Sequence, residues 1–330
     1  MQGVTQSTAS PALSPGDMLD HYRIEAAVAQ SRMSTLFRAT DTLTGRSVAV
    51  KVPLPEMESD PVLFERFKRE QEIGQELDHP GVVKTFDHEA RSRLYMVLEW
   101  VDGRLLRAVL NETHKLPIDR AVRLTRAICD ALDYMHKHGV VHRDLKPENI
   151  MVMDADRIKI VDFGIALKEE ARRLTFANLS PTLGTPDYIA PEQVKGQRGD
   201  QRSDIYALGV MLYEMLTGQV PFTGPNPFAV MNERLLNVPP PARRLNPEIS
   251  PQLQEILNRA MERDPRHRYP TAFEMAWELE HPELVGVEEE GHRPQRLAGS
   301  SPGLRKVLVF AALALVPLAL FILMLVLARR

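Results

Sequence analysis

Cysteine is almost missing from this chain: Cys129 is the only one in 330 residues. An intrachain disulfide is therefore excluded, and the usage fits a reducing compartment. Cys129 lies in the apolar pattern of "AVRLTRAICDALDYMH", which reads as a core position rather than a nucleophile. Charge of one sign is not in excess either. With 41 basic and 44 acidic residues the net charge is −3, so no global field selects nucleic acid, and no nucleic-acid partner is expected. The N-terminal residues show no basic start followed by an apolar run, so no signal peptide is expected. Glycine is absent from "EAAVAQSRMSTLFRATD", residues 25–41, a stretch in which a tight turn would use it.

Against these absences stands one long hydrophobic run. "VLVFAALALVPLALFILMLVLA", Val307–Ala328, carries no charge and is flanked by Arg305, Lys306, Arg329 and Arg330. At about 1.5 Å per residue it spans about 33 Å, enough for a hydrocarbon core of about 30 Å. Pro317 is compatible with a membrane helix. The expectation is a tail-anchored protein, single-pass in the cytoplasmic (inner) membrane, with the bulk of the chain in the cytosol. The basic residues before the span agree with that orientation.

Residues 1–17 are rich in Ser, Thr, Pro and Gly and are expected to be a disordered lead. From 18 to about 101, strand-like runs ("SVAVKV", "LYMVLEWV") flank a helix in "DPVLFERFKREQEIGQEL". Phe64, Phe67, Ile73 and Leu77 lie there at helical spacing behind an Asp-Pro start. From about 102 to 280 the pattern is mainly helical. Residues 281–306 form a linker and 307–328 the membrane helix. The expected class is α+β: a small β-rich lobe, a larger α-helical lobe, a tether and an anchor.

The chemistry-bearing residues follow in order. Lys51 ends "SVAVK", a place from which an ammonium group can reach phosphates, and Glu70 on the expected helix could hold it. "HRDLKPEN", His142–Asn149, puts a carboxylate (Asp144) where a hydroxyl can be oriented and deprotonated. Asn149 can turn back to a metal ion. "DFG", Asp162–Gly164, supplies a second oxygen ligand for a hard cation. "GTPDYIAPE", Gly184–Glu192, closes the segment.

Over about residues 18–280 these motifs resemble those of a eukaryotic-type (Hanks-type) serine/threonine protein kinase, most similar to the bacterial membrane-anchored branch. The resemblance implies a bilobal kinase fold and transfer of the γ-phosphoryl group of ATP to protein Ser/Thr hydroxyls. It implies Asp144 as base, Lys51 pairing with Glu70 and the ATP phosphates, and Asn149 and Asp162 holding Mg²⁺ or Mn²⁺. Lys146 would approach the γ-phosphate. Asp204 would brace the catalytic loop, and Arg268 would pair with Glu192. Leu98 would be the gatekeeper, with Glu99 to Val101 meeting adenine and Leu36 and Ala49 lining its site. Arg143 implies control by phosphate on the activation loop, with Thr175, Ser180 and Thr182 as candidate acceptors. Thr185 would shape the substrate platform and contact Asp144.

The family's G-x-G-x-x-G places read Ala29, Ser31 and Ser34 here. Glycine there allows positive φ and close approach of backbone N–H groups to phosphate. A left-handed conformation costs a residue with a Cβ about 1–2 kcal/mol. Two such places would cost about 2–4 kcal/mol, or roughly 30- to 1000-fold if fully felt in the transition state. The expectation is a weakened or specialised nucleotide clamp in an active enzyme. The alternative is an ATP-binding pseudokinase scaffold, with the degenerate loop as its only support. Membrane tethering also makes self-association and phosphorylation between copies an expectation.

Overall fold

The computed structural model describes residues 13–31, 34–55, 60–86, 91–162 and 187–287. Residues 288–330 lie outside the described residues. The expected membrane helix at 307–328 and the acceptors Thr175, Ser180, Thr182 and Thr185 therefore also lie outside them. Among the described residues no helix is long and apolar enough to cross a membrane.

The smaller lobe is built by alternation. Strands β1 (Met18–Leu19), β2 (Tyr22–Gln30), β3 (Ser34–Asp41) and β4 (Ser47–Pro53) run antiparallel in sequence order. Helix α1 (Pro61–Glu76) follows, and β5 (Thr85–Phe86) and β6 (Met96–Glu99) complete a sheet of order β1-β2-β3-β4-β6-β5. Side chains along a strand point to opposite faces in turn. Val48, Val50 and Val52 accordingly join Phe37, Ala39 and Val97 in one apolar cluster. Ala49, Met96 and Leu98 join a second cluster with Phe67, Ile73 and Leu77 of the α1 region. Lys51 shares the face of Ala49 and looks into the cleft below the sheet. Gly74 on α1 lets the helix approach β5, because a Cβ there would stand 2.2 Å from Thr85 Oγ1.

The expected lead of residues 1–17 is too long at its inner end. Ser14 to Asp17 form a turn, and the N–H of Gly16 donates to the Ile24 carbonyl while that of Ile24 donates to the Asp17 carbonyl, both at 2.9 Å. Leu13 packs against the outer cluster. The Ser-Pro-Gly composition there encodes a turn rather than disorder.

The larger lobe begins with β7 (Arg104–Leu105), α2 (Leu106–Thr113) and α3 (Ile118–Lys137). Strands β8 (Ile150–Val152) and β9 (Ile158–Ile160) form a small sheet with β7. Then come α4 (Pro191–Val194), α5 (Gln201–Thr217), α6 (Pro227–Leu236), α7 (Pro251–Ala260) and α8 (Ala272–Glu280). Polar caps set the helix starts. Asp200, Asn226, Ser250 and Thr271 accept from the first-turn N–H groups of α5, α6, α7 and α8, each worth about 1 kcal/mol. Every residue of α5 from Ser203 to Leu216 is buried, so this helix is hydrophobic nearly all round and forms the centre of the lobe. Gly209 gives it room, since a Cβ there would come within 2.9 Å of Ala260 Cβ on α7. The two lobes are stitched where Val83 N–H donates to the Ile160 carbonyl and Ile160 N–H to that of Gly81, both at 2.9 Å.

Candidate active site

Lys51 leaves the cleft face of β4 and meets Glu70 of α1, with Nζ 2.5 Å from Oε1. Asp162, just beyond β9, lies 3.4 Å from the same ammonium. The Lys51 and Glu70 side chains are only 17% and 10% exposed. Burial by itself would lower the lysine pKa, but the charges of Glu70 and Asp162 outweigh it and hold Lys51 above its ordinary value. The ammonium therefore stays charged at neutral pH.

The loop after α3 is held from beneath. Asp204, on α5, is completely buried. One of its oxygens accepts from the Arg143 N–H at 2.7 Å. The other accepts from the His142 N–H at 2.9 Å and lies 2.8 Å from His136 Nε2. Burial alone would raise the Asp204 pKa, but bonding and charge from His136, His142 and Arg143 hold it below the usual carboxylate range. These anchors stabilise Arg143 at φ 64°, a left-handed turn that a non-glycine residue adopts only where its surroundings enforce it. The side chain of the next residue, Asp144, is 39% exposed. Lys146 Nζ donates to Asp144 Oδ2 at 2.5 Å. Asn149 Nδ2 donates to the Asp144 carbonyl at 2.9 Å, which orients its amide oxygen away. The Val161 N–H donates to the Asn149 carbonyl at 3.0 Å and ties this residue to the segment carrying Asp162.

Asn149 and Asp162 are two hard oxygen donors. Among the described residues no cluster of three or more His, Cys, Asp or Glu could hold a metal ion. A sparse protein donor set of this kind suits Mg²⁺, which keeps water and phosphate oxygens as its remaining ligands. The residues fit the expected metal.

The apolar end of the cleft is formed by Ala49 and Leu98, both buried, with Leu36 and Val101 packed against the same cluster. The Glu99 N–H is taken by the Lys84 carbonyl at 2.8 Å. At the hairpin between β2 and β3, Ala29 stands opposite Leu36. Ser31 and Ser34 bond to each other: Ser31 N–H donates to the Ser34 carbonyl at 2.9 Å, and Ser34 N–H donates to Ser31 Oγ at 3.0 Å. The left-handed strain expected of the missing glycines is not found at Ala29 or Ser31. Positive φ among described non-glycine residues occurs at Asp20, His114, Arg143, Ala155 and Asp156. Ala29 lies within strand β2, which is bulged on either side of Ala26 and Ala27.

The family model described as protein kinase domain matches residues 22–280. This chain belongs to the protein kinase family. It is 36% identical over 270 residues to the serine/threonine-protein kinase PknB of Mycolicibacterium smegmatis, covering 80% of this chain and 43% of that protein. It is 34% identical over 301 residues to PknB of Mycobacterium tuberculosis, covering 88% of this chain and 48% of the relative. The chain thus spans less than half the length of these curated relatives. The crystal structure of the Mycobacterium tuberculosis PknI kinase domain aligns with a TM-score of 0.63 at 26% identity, over 82% of this chain and all of that one. The bilobal kinase fold, with a β-rich upper lobe and a helical lower lobe, is the fold of this chain.

Below the cleft, the kinase domain pairs Arg268 with Glu192 through two bonds of 2.7 Å. Ser203 Oγ adds a third at 2.6 Å. The pair is almost fully buried, with 0% and 6% side-chain exposure. Burial opposes ionisation of Glu192, but Arg268 and Ser203 hold its pKa below the ordinary value.

Two polar groupings escape a reading of the sequence. Lys159 on β9 reaches Glu99 at 2.7 Å with 12% of its side chain exposed, joining β6 to the strand that leads to Asp162. A lysine between isoleucines in "IKI" is its only trace, since a buried lysine requires a partner. Arg107 of α2 gathers Glu148 at 2.9 Å, Glu214 at 2.7 Å and the Tyr188 hydroxyl. Glu148 and Tyr188 lie in "HRDLKPEN" and "GTPDYIAPE", but no spacing links them to Arg107 and Glu214.

Proposed function

We propose that this kinase transfers the γ-phosphoryl group of ATP to serine and threonine hydroxyls of proteins, including its own activation segment. The observation that carries the reading is Lys51 held between Glu70 and Asp162, across the cleft from an Asp144 oriented by Lys146. Lys51 neutralises the α- and β-phosphates. Asp144 accepts a hydrogen bond from the acceptor hydroxyl, aims its oxygen at the γ-phosphorus, and takes the proton as the new O–P bond forms. The bond from the γ-phosphorus to the bridging oxygen breaks, and ADP leaves. Lys146 balances charge on the transferred group. Mg²⁺ or Mn²⁺ held by Asn149 and Asp162 would supply further neutralisation of the phosphate oxygens. Leu36, Ala49 and Leu98 would pack on adenine, with the backbone of Glu99 to Val101 meeting its edge.

Control by loop phosphate is supported by Arg143. Burial and the neighbouring Arg198 cation push its pKa down, and a phosphate dianion arriving there would relieve that repulsion. The apolar stretch 307–328 supports a single-pass anchor in the cytoplasmic membrane, with the kinase domain in the cytosol and copies close enough to phosphorylate one another. Ala29, Ser31 and Ser34 support the one competing reading, a scaffold that binds ATP without catalysis.

The test is incubation of the full chain with ATP and Mg²⁺ or Mn²⁺, with phosphate mapped by mass spectrometry beside Asp144→Asn. Phosphate on Thr175, Ser180 or Thr182 in the wild type is expected, with the variant slower by about 10²- to 10⁴-fold. ATP binding without phosphate on the chain or on a generic protein acceptor would replace the enzyme reading with the scaffold.

A further inference from the structure

The hairpin that carries the three replaced glycines is closed by its own serines. Ser31 Oγ donates to the Ser34 carbonyl at 3.0 Å and accepts from the Ser34 N–H at 3.0 Å. The two hydroxyl oxygens are 3.3 Å apart. Ser34 lies two residues before Leu36, which stands opposite Lys51. Its N–H is therefore at the turn end of the strand that roofs the Lys51 cleft. That donor has an acceptor before any nucleotide arrives, and the acceptor is the side chain that stands where the family has glycine. A glycine at 31 would have no oxygen to offer, and the Ser34 N–H would turn to the next anion in reach.

We propose that Ser31 is a clasp on the nucleotide loop: its hydroxyl competes with a phosphate oxygen of ATP for the Ser34 N–H and so sets the affinity for the nucleotide. The inference rests on the kinase reading of the cleft. Binding exchanges one hydrogen bond for another, with Ser31 Oγ released as phosphate takes its place. The clasp acts only on ligands that carry phosphate. Adenosine fills the apolar end and leaves the Ser31–Ser34 bonds intact. Ser31 is thus a positioning residue. Its effect is opposite in sign to that of a phosphate-binding residue, because its removal tightens ATP.

The experiment measures dissociation constants of Mg-ATP and of adenosine by calorimetry on the full chain in detergent, for the wild type and for Ser31→Ala, Ser31→Gly and Ser31→Thr. Removing the hydroxyl is expected to tighten Mg-ATP by roughly 3- to 10-fold, the worth of about one hydrogen bond. Adenosine should be unchanged, and Ser31→Thr, which keeps an Oγ, should behave as wild type. Equal tightening of both ligands would mean a general change of loop shape and would overturn the clasp. Unchanged or weaker Mg-ATP binding in Ser31→Ala, with adenosine still bound, would overturn the clasp alone. Failure of every form to bind either ligand would overturn the kinase reading along with it.

Discussion

Two loops face the same cleft and are held by opposite means. The loop bearing Asp144 is fixed from far along the chain: Asp204 takes the N–H groups of His142 and Arg143, and the Gln193 amide donates to the Arg143 carbonyl at 2.9 Å. In the hairpin, Ser31 and Ser34 are joined by bonds between residues three apart. A loop anchored in the core inherits the stability of the whole lobe. A loop anchored on itself can open at the cost of its own few bonds. Under the proposed function, the chemistry that tolerates least displacement sits on the first, and the part that would admit and release nucleotide sits on the second.

The comparison is broken most severely at Asp204. Asp204→Ala leaves two buried N–H groups and His136 without their acceptor, at about 1–3 kcal/mol each. A loss of about 4–6 kcal/mol in urea unfolding is expected, together with loss of phosphate transfer. A loss under about 1 kcal/mol would mean that the loop does not depend on this anchor. Glu192→Gln is expected to cost about 3 kcal/mol, because it leaves the Arg268 charge buried without a full partner. This loss should depend on pH. The Glu192 pKa is depressed in the fold, so its contribution is complete above the unfolded carboxylate value of about 4.3 and disappears as pH falls through the lower folded value. Urea midpoints of wild type and variant should diverge fully above about pH 5 and converge in stronger acid. At the small end lies the exposed Arg104–Glu112 pair, with side-chain exposures of 59% and 62%. Arg104→Ala should change stability by no more than about 0.5 kcal/mol, which a thermal melt would check. A large shift there would show that local bonds in this molecule are stronger than the comparison supposes.

The lower loop was the easier one to read from sequence, for the same physical reason. Long-range anchoring demands fixed residue types at fixed spacing, and "HRDLKPEN" and "SDIYALGV" announce that demand. Lys51 is legible from its place at the end of "SVAVK", and its meeting with Glu70 from the family resemblance. The serine clasp is not, because small-for-small replacement carries no signal about which hydrogen bonds form. Ala29 and Ser31 do not adopt the left-handed backbone that would make their Cβ atoms costly. Lys159 and Arg107 leave no such signal, because their partners lie dozens of residues away and no periodicity links them. The ordered turn at Ser14–Asp17 has a composition that disordered segments share, so its order is not visible in the sequence.

Strand β4 carries one further consequence. It sends Val48, Val50 and Val52 to one core and Ala49 and Lys51 to the other side, so its meaning lies in counting by two. Deleting or inserting a single residue between Ser47 and Lys51 would deliver the ammonium into the outer hydrocarbon cluster and a valine to Glu70. This strand can exchange letters far more readily than it can change length, and its history should be one of substitutions without gaps.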